Sequence, residues 1–257
     1  MRGAVVVAGS HGGRIACYLG AAAGAHALIL NDAGVGLDRA GIAGLAWLDV
    51  TGMAVATVSH GSAVLGNGED TLANGVISHA NGAAAVAGVI AGMPAAEAAA
   101  LLAHAPAAHS PPPDYAEGRA QVATSHGVDV WVLDSVGKLL AEDEGRALII
   151  GSHGALHGGR ADSALNIAGR PLAARLAVFS DAGGRATSRL PELSYRGVPA
   201  ATVSASSARI GDGHSLWESG CVSNQNAVAR SCGGTPGVQV AAWVETILSR
   251  VQAGSDR

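Results

Sequence analysis

Residues Gly52 to Gly82 (GMAVATVSHGSAVLGNGEDTLANGVISHANG) align without a gap on Gly197 to Ala227 (GVPAATVSASSARIGDGHSLWESGCVSNQNA). The coincident pairs are Gly52/Gly197, Ala56/Ala201, Thr57/Thr202, Val58/Val203, Ser59/Ser204, Ser62/Ser207, Ala63/Ala208, Gly66/Gly211, Gly68/Gly213, Gly75/Gly220, Ser78/Ser223 and Asn81/Asn226. Upstream, with short insertions, Gly9 to Gly13 (GSHGG) matches Gly151 to Gly154 (GSHG), and Asp32-Ala33-Gly34 matches Asp181-Ala182-Gly183. A chain that writes one pattern twice is expected to fold as a tandem duplication. Its chemistry is then sought in what the two copies share and where they part.

The local pattern gives each copy its elements. Ala4 to Ala8 is a short Val-rich run ended by glycine, the mark of a buried strand. Arg14 to Ala23 reads as helix, Ala27 to Leu30 as strand, Gly41 to Val50 as helix and Met53 to Val58 as strand, with further helix at Glu69 to Asn74 and Ala83 to Ala103. In the second copy, strands precede the repeated GSHG (Leu148 to Ile150), the repeated DAG (Leu176 to Ser180) and the repeated TVS (Ala200 to Val203). Val128 to Asp134 is an additional strand and Gly237 to Gln252 a terminal helix. Strands alternating with helices predict an α/β fold. The expectation is a β-α-β-α-β unit used twice, in parallel sheet with helices on its faces and a pseudo-twofold relation. Residues 1–104 form the first repeat and 128–257 the second. Between them 105–127, with Pro106 and Pro111-Pro112-Pro113, reads as a connector, because successive prolines exclude regular structure.

Composition removes several classes of function. With 257 residues and 49% of them apolar, a substantial core is available. A net charge of −4 with no basic run argues against nucleic acid as a partner. Cys17, Cys221 and Cys232 are odd in number and lack CxxC spacing, so they read as reduced thiols. The first residues turn polar too quickly for a secretory leader, and no apolar run approaches the roughly 20 residues of a spanning helix. The expectation is a soluble cytoplasmic protein without a membrane partner.

Polar motifs gather where the predicted strands end, the edge at which ligands sit in parallel sheets. Glycines around Ser10-His11 permit a sharp turn, and the backbone of Gly12 and Gly13 can cradle an anion beside the imidazole. A structural imidazole in a tight turn fits the same residues. Asp32 and Asp181 can orient a histidine, act as base, or cap a helix. The TVS elements diverge: His60 stands opposite Ala205, Val64 opposite Arg209, Asn67 opposite Asp212, Glu69 opposite His214 and His79 opposite Asn224. Arg209 suits a substrate carboxylate, or an ion pair with Asp212 or Glu218.

Strand, then Ser-His-Gly, then a second apolar strand ending in a polar cluster, resembles the catalytic His and Cys arrangement of caspase-like peptidases in two short motifs of each half. That family's nucleophilic Cys would follow the second strand, where this chain has Ala33 and Ala182. A thiol peptidase is therefore not expected.

The resulting expectation is a small-molecule enzyme, a hydrolase or lyase of a small polar or carboxylated metabolite. His11, Asp32, His60, His153 and Asp181 are its candidate catalytic residues. Ser10, Gly12, Gly13, Ser59, Ser62, Ser152, Ser204, Ser207 and Arg209 are the candidate ligand contacts. No cofactor is expected, and no HExxH, HxH or EF-hand spacing points to a metal. The alternative is a non-catalytic two-lobed metabolite-binding protein, and the Ala- and Gly-rich helices also suit a homo-oligomer.

Overall fold

The computed structural model describes residues 2–167 and 169–255. The chain divides into two compact units, Met1–Ala116 and Glu117–Arg257. It is a mixed α/β protein in which each unit holds its own, mostly parallel sheet.

The first sheet runs β1 (Val5–His11), β2 (Ala27–Asn31), β3 (Ala54–Val58), β4 (Ile77–Ala80). β1, β2 and β3 are parallel and β4 is antiparallel to β3. β2 and β3 are buried at every position, as their unbroken apolar runs require of strands covered on both faces. Helices α1 (Arg14–Ala22) and α2 (Ala43–Asp49) close over a cluster that includes Cys17, Leu28, Leu30, Leu45 and Val55. On the opposite face α5 (Ala95–Leu102) packs with Ile29, Ala56 and Ile77. Short helices α3 (Gly68–Asn74) and α4 (Gly82–Val86) complete the unit. Residues 83–103, expected as one helix, are interrupted by Gly88 and Gly92, both at positive φ, and by Pro94 at the N-cap of α5.

The second sheet has the order β12 (Val222–Gln225), β11 (Ala200–Val203), β10 (Leu176–Ser180), β7 (Ala147–His153), β6 (Val128–Leu133), β5 (Arg119–Ser125). β5 falls inside the stretch read as connector and forms an antiparallel hairpin with β6. Helices α6 (Arg189–Tyr195), α7 (Gly213–Glu218), α8 (Ala227–Ser231) and α9 (Val240–Ser255) pack on it. Trp243 of α9 is fully buried against strand residues such as Ile149, Val178 and Ala201. The β-α-β-α-β expectation is corrected in two places. Each sheet gains an antiparallel strand, β4 or β12. The crossover from β7 to β10 contains 3-10 turns and a small ribbon, β8 (Asn166–Ile167) with β9 (Arg170–Pro171), instead of a helix.

Positions that align in sequence make the same bonds. Asn81 accepts from the N–H groups of Val55 and Ala84 and donates to the carbonyls of Met53 and Leu45. Asn226 does the same with Ala200, Ala229, Val198 and Leu190. Both asparagines are buried with all four hydrogen-bonding capacities used, which fixes the side chain as scaffold. Asn67 and Asp212 each cap a helix, accepting from Asp70 N–H at 3.1 Å and Ser215 N–H at 2.8 Å.

Candidate functional site

The edge formed by the carboxyl ends of β1, β2 and β3 carries the first unit's polar motifs. β1 slips by two residues against β2, from Val7↔Ile29 to His11↔Asn31, and β7 slips identically against β10, from Ile149↔Val178 to His153↔Ser180. Gly9 and Gly151 lie in these slips, where their carbonyls accept from Gly66 N–H and Gly211 N–H, both at 2.8 Å. A Cβ on Gly9 would lie 2.2 Å from Asn67 N, and one on Gly151 would lie 2.6 Å from Asp212 N, so only glycine admits that approach. The slip delivers each histidine to the strand end.

His11 is 5% exposed, and its Nδ1 accepts the Gly13 N–H at 3.1 Å. Burial lowers its pKa to about 4, so the ring is neutral near pH 7. An Nδ1 that accepts leaves the proton on Nε2, which makes Nε2–H a donor. The Gly12 N–H is likewise occupied, donating to Asn31 O at 2.7 Å.

Asp32 follows β2 and is 4% exposed. Its Oδ1 accepts the backbone N–H groups of Gly34 and His60, each at 2.9 Å, and stands 2.9 Å from His60 Nδ1. The carboxylate thereby holds the imidazole with the proton on Nδ1, leaving the Nε2 lone pair available. The His60 side chain is 33% exposed, so the ring is partly reached by solvent. β1 and β3 flank β2, so the strand ends at His11 and Val58 stand two strand spacings apart, roughly 10 Å.

The loop after Asp32 is strained. Ala33 (φ 49°), Val35 (62°), Asp38 (52°) and Arg39 (57°) all occupy the left-handed region, and Val35 is β-branched. The corresponding loop after Asp181 puts one such residue, Ala182 (46°), beside Gly183 and Gly184.

In the second unit Asp181 Oδ1 accepts the N–H groups of Gly183 at 3.1 Å and Ala205 at 2.9 Å, the same two bonds that Asp32 makes. With alanine at 205, the imidazole is gone. His153 Nδ1 accepts the Ala155 N–H at 3.3 Å, and its ring stands edge to face with His157, centroids 5.9 Å apart. Arg189, 1% exposed, donates to the carbonyls of Ala155 and Ala164, both within 2.9 Å, and of Ser163. His157 is held below its ordinary pKa, first by burial and then by the Arg189 charge. His157 and Arg189 were not singled out from sequence. The gapless offset of the repeat, extended upstream, sets Arg189 opposite Gly44, and that contrast was the available signal.

Most of the serine candidates are engaged within the fold. Ser62 Oγ donates to Ser59 O and accepts the Val76 N–H, and Ser207 does the same with Ser204 O and Cys221 N–H. Ser59 accepts the Gly61 N–H, Ser152 the Val136 N–H, and Ser204 lies 2.8 Å from Ser206 Oγ. Ser10 is half-buried in β1. Arg209 pairs with Asp212 at 3.0 Å on the surface. Among the described residues no group of three or more His, Cys, Asp or Glu is placed to hold a metal ion, and no helix is long and apolar enough to cross a membrane. Comparison with protein-family models, with curated proteins and with solved structures finds no match.

Proposed function

We propose that the first unit is the catalytic half of a small-molecule enzyme, a hydrolase or lyase acting on a small polar or carboxylated metabolite. The observation that carries this reading is the Asp32–His60 pair at 2.9 Å. His60 Nε2 removes a proton, from water in hydrolysis or from carbon in elimination, and Asp32 stabilises the imidazolium that forms. His11, neutral with a donor at Nε2, supplies a hydrogen bond to negative charge developing on the substrate. Ala33 follows β2 where the caspase-like resemblance would require a cysteine, so activated water fits this reading better than an acyl-enzyme. Strain in the 33–39 loop supports the assignment, since residues held at unfavourable φ concentrate at working sites and cost about 1–3 kcal/mol each.

The chain in this reading is a cytoplasmic tandem duplication whose second copy kept the carboxylate and lost the imidazole. That loss also favours a second role for residues 117–257, as a metabolite-binding half without turnover. The test is a turnover screen with carboxylated metabolites, including esters, amides and hydroxy acids. His60→Ala and Asp32→Asn are expected to lower kcat by about 10²- to 10⁴-fold, and Asp181→Asn to leave it unchanged. Ligand-induced thermal stabilisation without turnover would favour the binding role, and a His60→Ala protein with unaltered kcat would remove the catalytic one.

A further inference from the structure

The two sheets have four edges, and three of them are protected by the chain itself. The β4 edge is covered by residues 92–94, with Ile77 N–H donating to Met93 O and Gly92 N–H to Ile77 O. The β12 edge is covered in the same way by Gly237, Val238 and Gln239 against Cys221 and Val222. β5 carries Arg119 and Gln121 and breaks register between Gln121 and Ala123, features that discourage further strand addition.

β1 lacks such a cover along Val5 and Val6, and the chain returns to it only at its carboxyl end, where Gly66 N–H donates to Gly9 O and Gly68 stands beside Val7 O. Val5, Val6, Val7 and Ala8 are uncharged, and all four are half-buried. Their counterparts in the other unit, Ala147 to Ile150, are buried throughout because β6 lies parallel alongside, with Val130 opposite Ala147 and Val132 opposite Ile149. Ala4 O accepts from His26 N–H on the β2 side, whereas Gly9 O accepts from Gly66 N–H on the outer side. By the alternation of a parallel ladder, the N–H and C=O groups of Val5 and Val7 point outward. The covered β7 thus shows what the same edge looks like once a strand has been added.

We propose that the outer edge of β1 pairs with β1 of a second copy of this chain, antiparallel and about a twofold axis at Val6. The sequence Val5-Val6-Val7 is self-complementary under that operation. Val5 meets Val7 of the other copy as a hydrogen-bonded pair, and the two Val6 residues meet as a non-hydrogen-bonded pair. No charge within Val5–Ala8 opposes the pairing, and the two four-stranded sheets become one of eight strands.

The experiment is sedimentation and light scattering of the full chain over a concentration series, with two variants. Wild type is expected to shift from monomer to dimer as concentration rises. Val5→Pro removes an outward N–H that the β1–β2 ladder does not use, so it should abolish the shift. Val6→Cys should give an oxidised covalent dimer, since non-hydrogen-bonded partners sit about 4.5 Å apart at Cα, within disulfide reach. Val50→Cys, at a position 68% exposed at the end of α2 and outside β1, should not exceed the wild-type level. A chain that remains monomeric at every concentration overturns the proposal. So does a dimer that survives Val5→Pro while Val6→Cys fails to cross-link, because another surface then joins the copies.

Discussion

The two units solve one local problem in different ways. After the glycine that follows each histidine, a backbone N–H returns to the Gly carbonyl: Gly44 to Gly12 at 2.9 Å in the first unit, Arg189 to Gly154 at 3.0 Å in the second. At Gly44 there is no room for a side chain, because a Cβ would lie 2.3 Å from Cys17 Sγ of α1. At Arg189 there is no such helix. The guanidinium fills the space and gathers the carbonyls of residues 155, 163 and 164, tying down the 3-10 turns that replace it. A helix satisfies its own backbone and needs only a smooth surface to pack on, whereas an irregular crossover must import donors. One residue type at one position therefore accompanies a change in how a whole connection is built.

The largest test of that comparison is Arg189→Met. It leaves several buried carbonyls without a donor and should cost about 3–5 kcal/mol of stability by denaturant titration. A loss under 1 kcal/mol would mean that the crossover holds itself together. The next concerns His11, whose folded pKa of about 4 lies below the ordinary 6.5. The unfolded chain takes up a proton in that interval and the folded chain does not, so stability should fall as pH drops from 6.5 to 4, by of order 3 kcal/mol. His157, also depressed, acts in the same direction. Replacing His11 by Asn should flatten most of this slope in melts recorded across the interval.

A smaller effect separates scaffold from chemistry. Asp32→Ala and Asp181→Ala each strip an acceptor from two backbone N–H groups, and both should destabilise by about 2 kcal/mol. Only the first disturbs an imidazole. If Asp181→Ala is silent in thermal melts, the shared carboxylate is not the structural bracket its bonds imply. Smallest are the helix caps, where Asn67→Ala and Asp212→Ala should each cost about 1 kcal/mol, measured against wild type in urea.

Part of this architecture is legible in the sequence. Short apolar runs ending in polar motifs mark the parallel strands and put Asp32, Ser59 and His60 at their carboxyl ends. The antiparallel strands β4 and β12 were not legible. Ile77-Ser78-His79-Ala80 and Val222-Ser223-Asn224-Gln225 are too short and too polar to carry a strand signal alone, and pairing with β3 and β11 makes them strands. The serine candidates were ambiguous in a similar way, because a hydroxyl near a strand end looks the same in sequence whether it meets a ligand or braces a turn. Ser62 and Ser207 are spent on Val76 and Cys221, fourteen residues along the chain.

The sequence by itself determined the repeated strand-and-turn pattern, the glycines at the histidine turns and the absence of a nucleophile at positions 33 and 182. These follow from local backbone preference and from side-chain identity, which the chain carries wherever it goes. Only the tertiary structure decided that Asp32 reaches the imidazole of His60, twenty-eight residues away, that His11 is kept neutral by burial, and that a buried arginine replaces a helix. Those outcomes depend on distance and on exclusion of water, which exist only once the strands have come together.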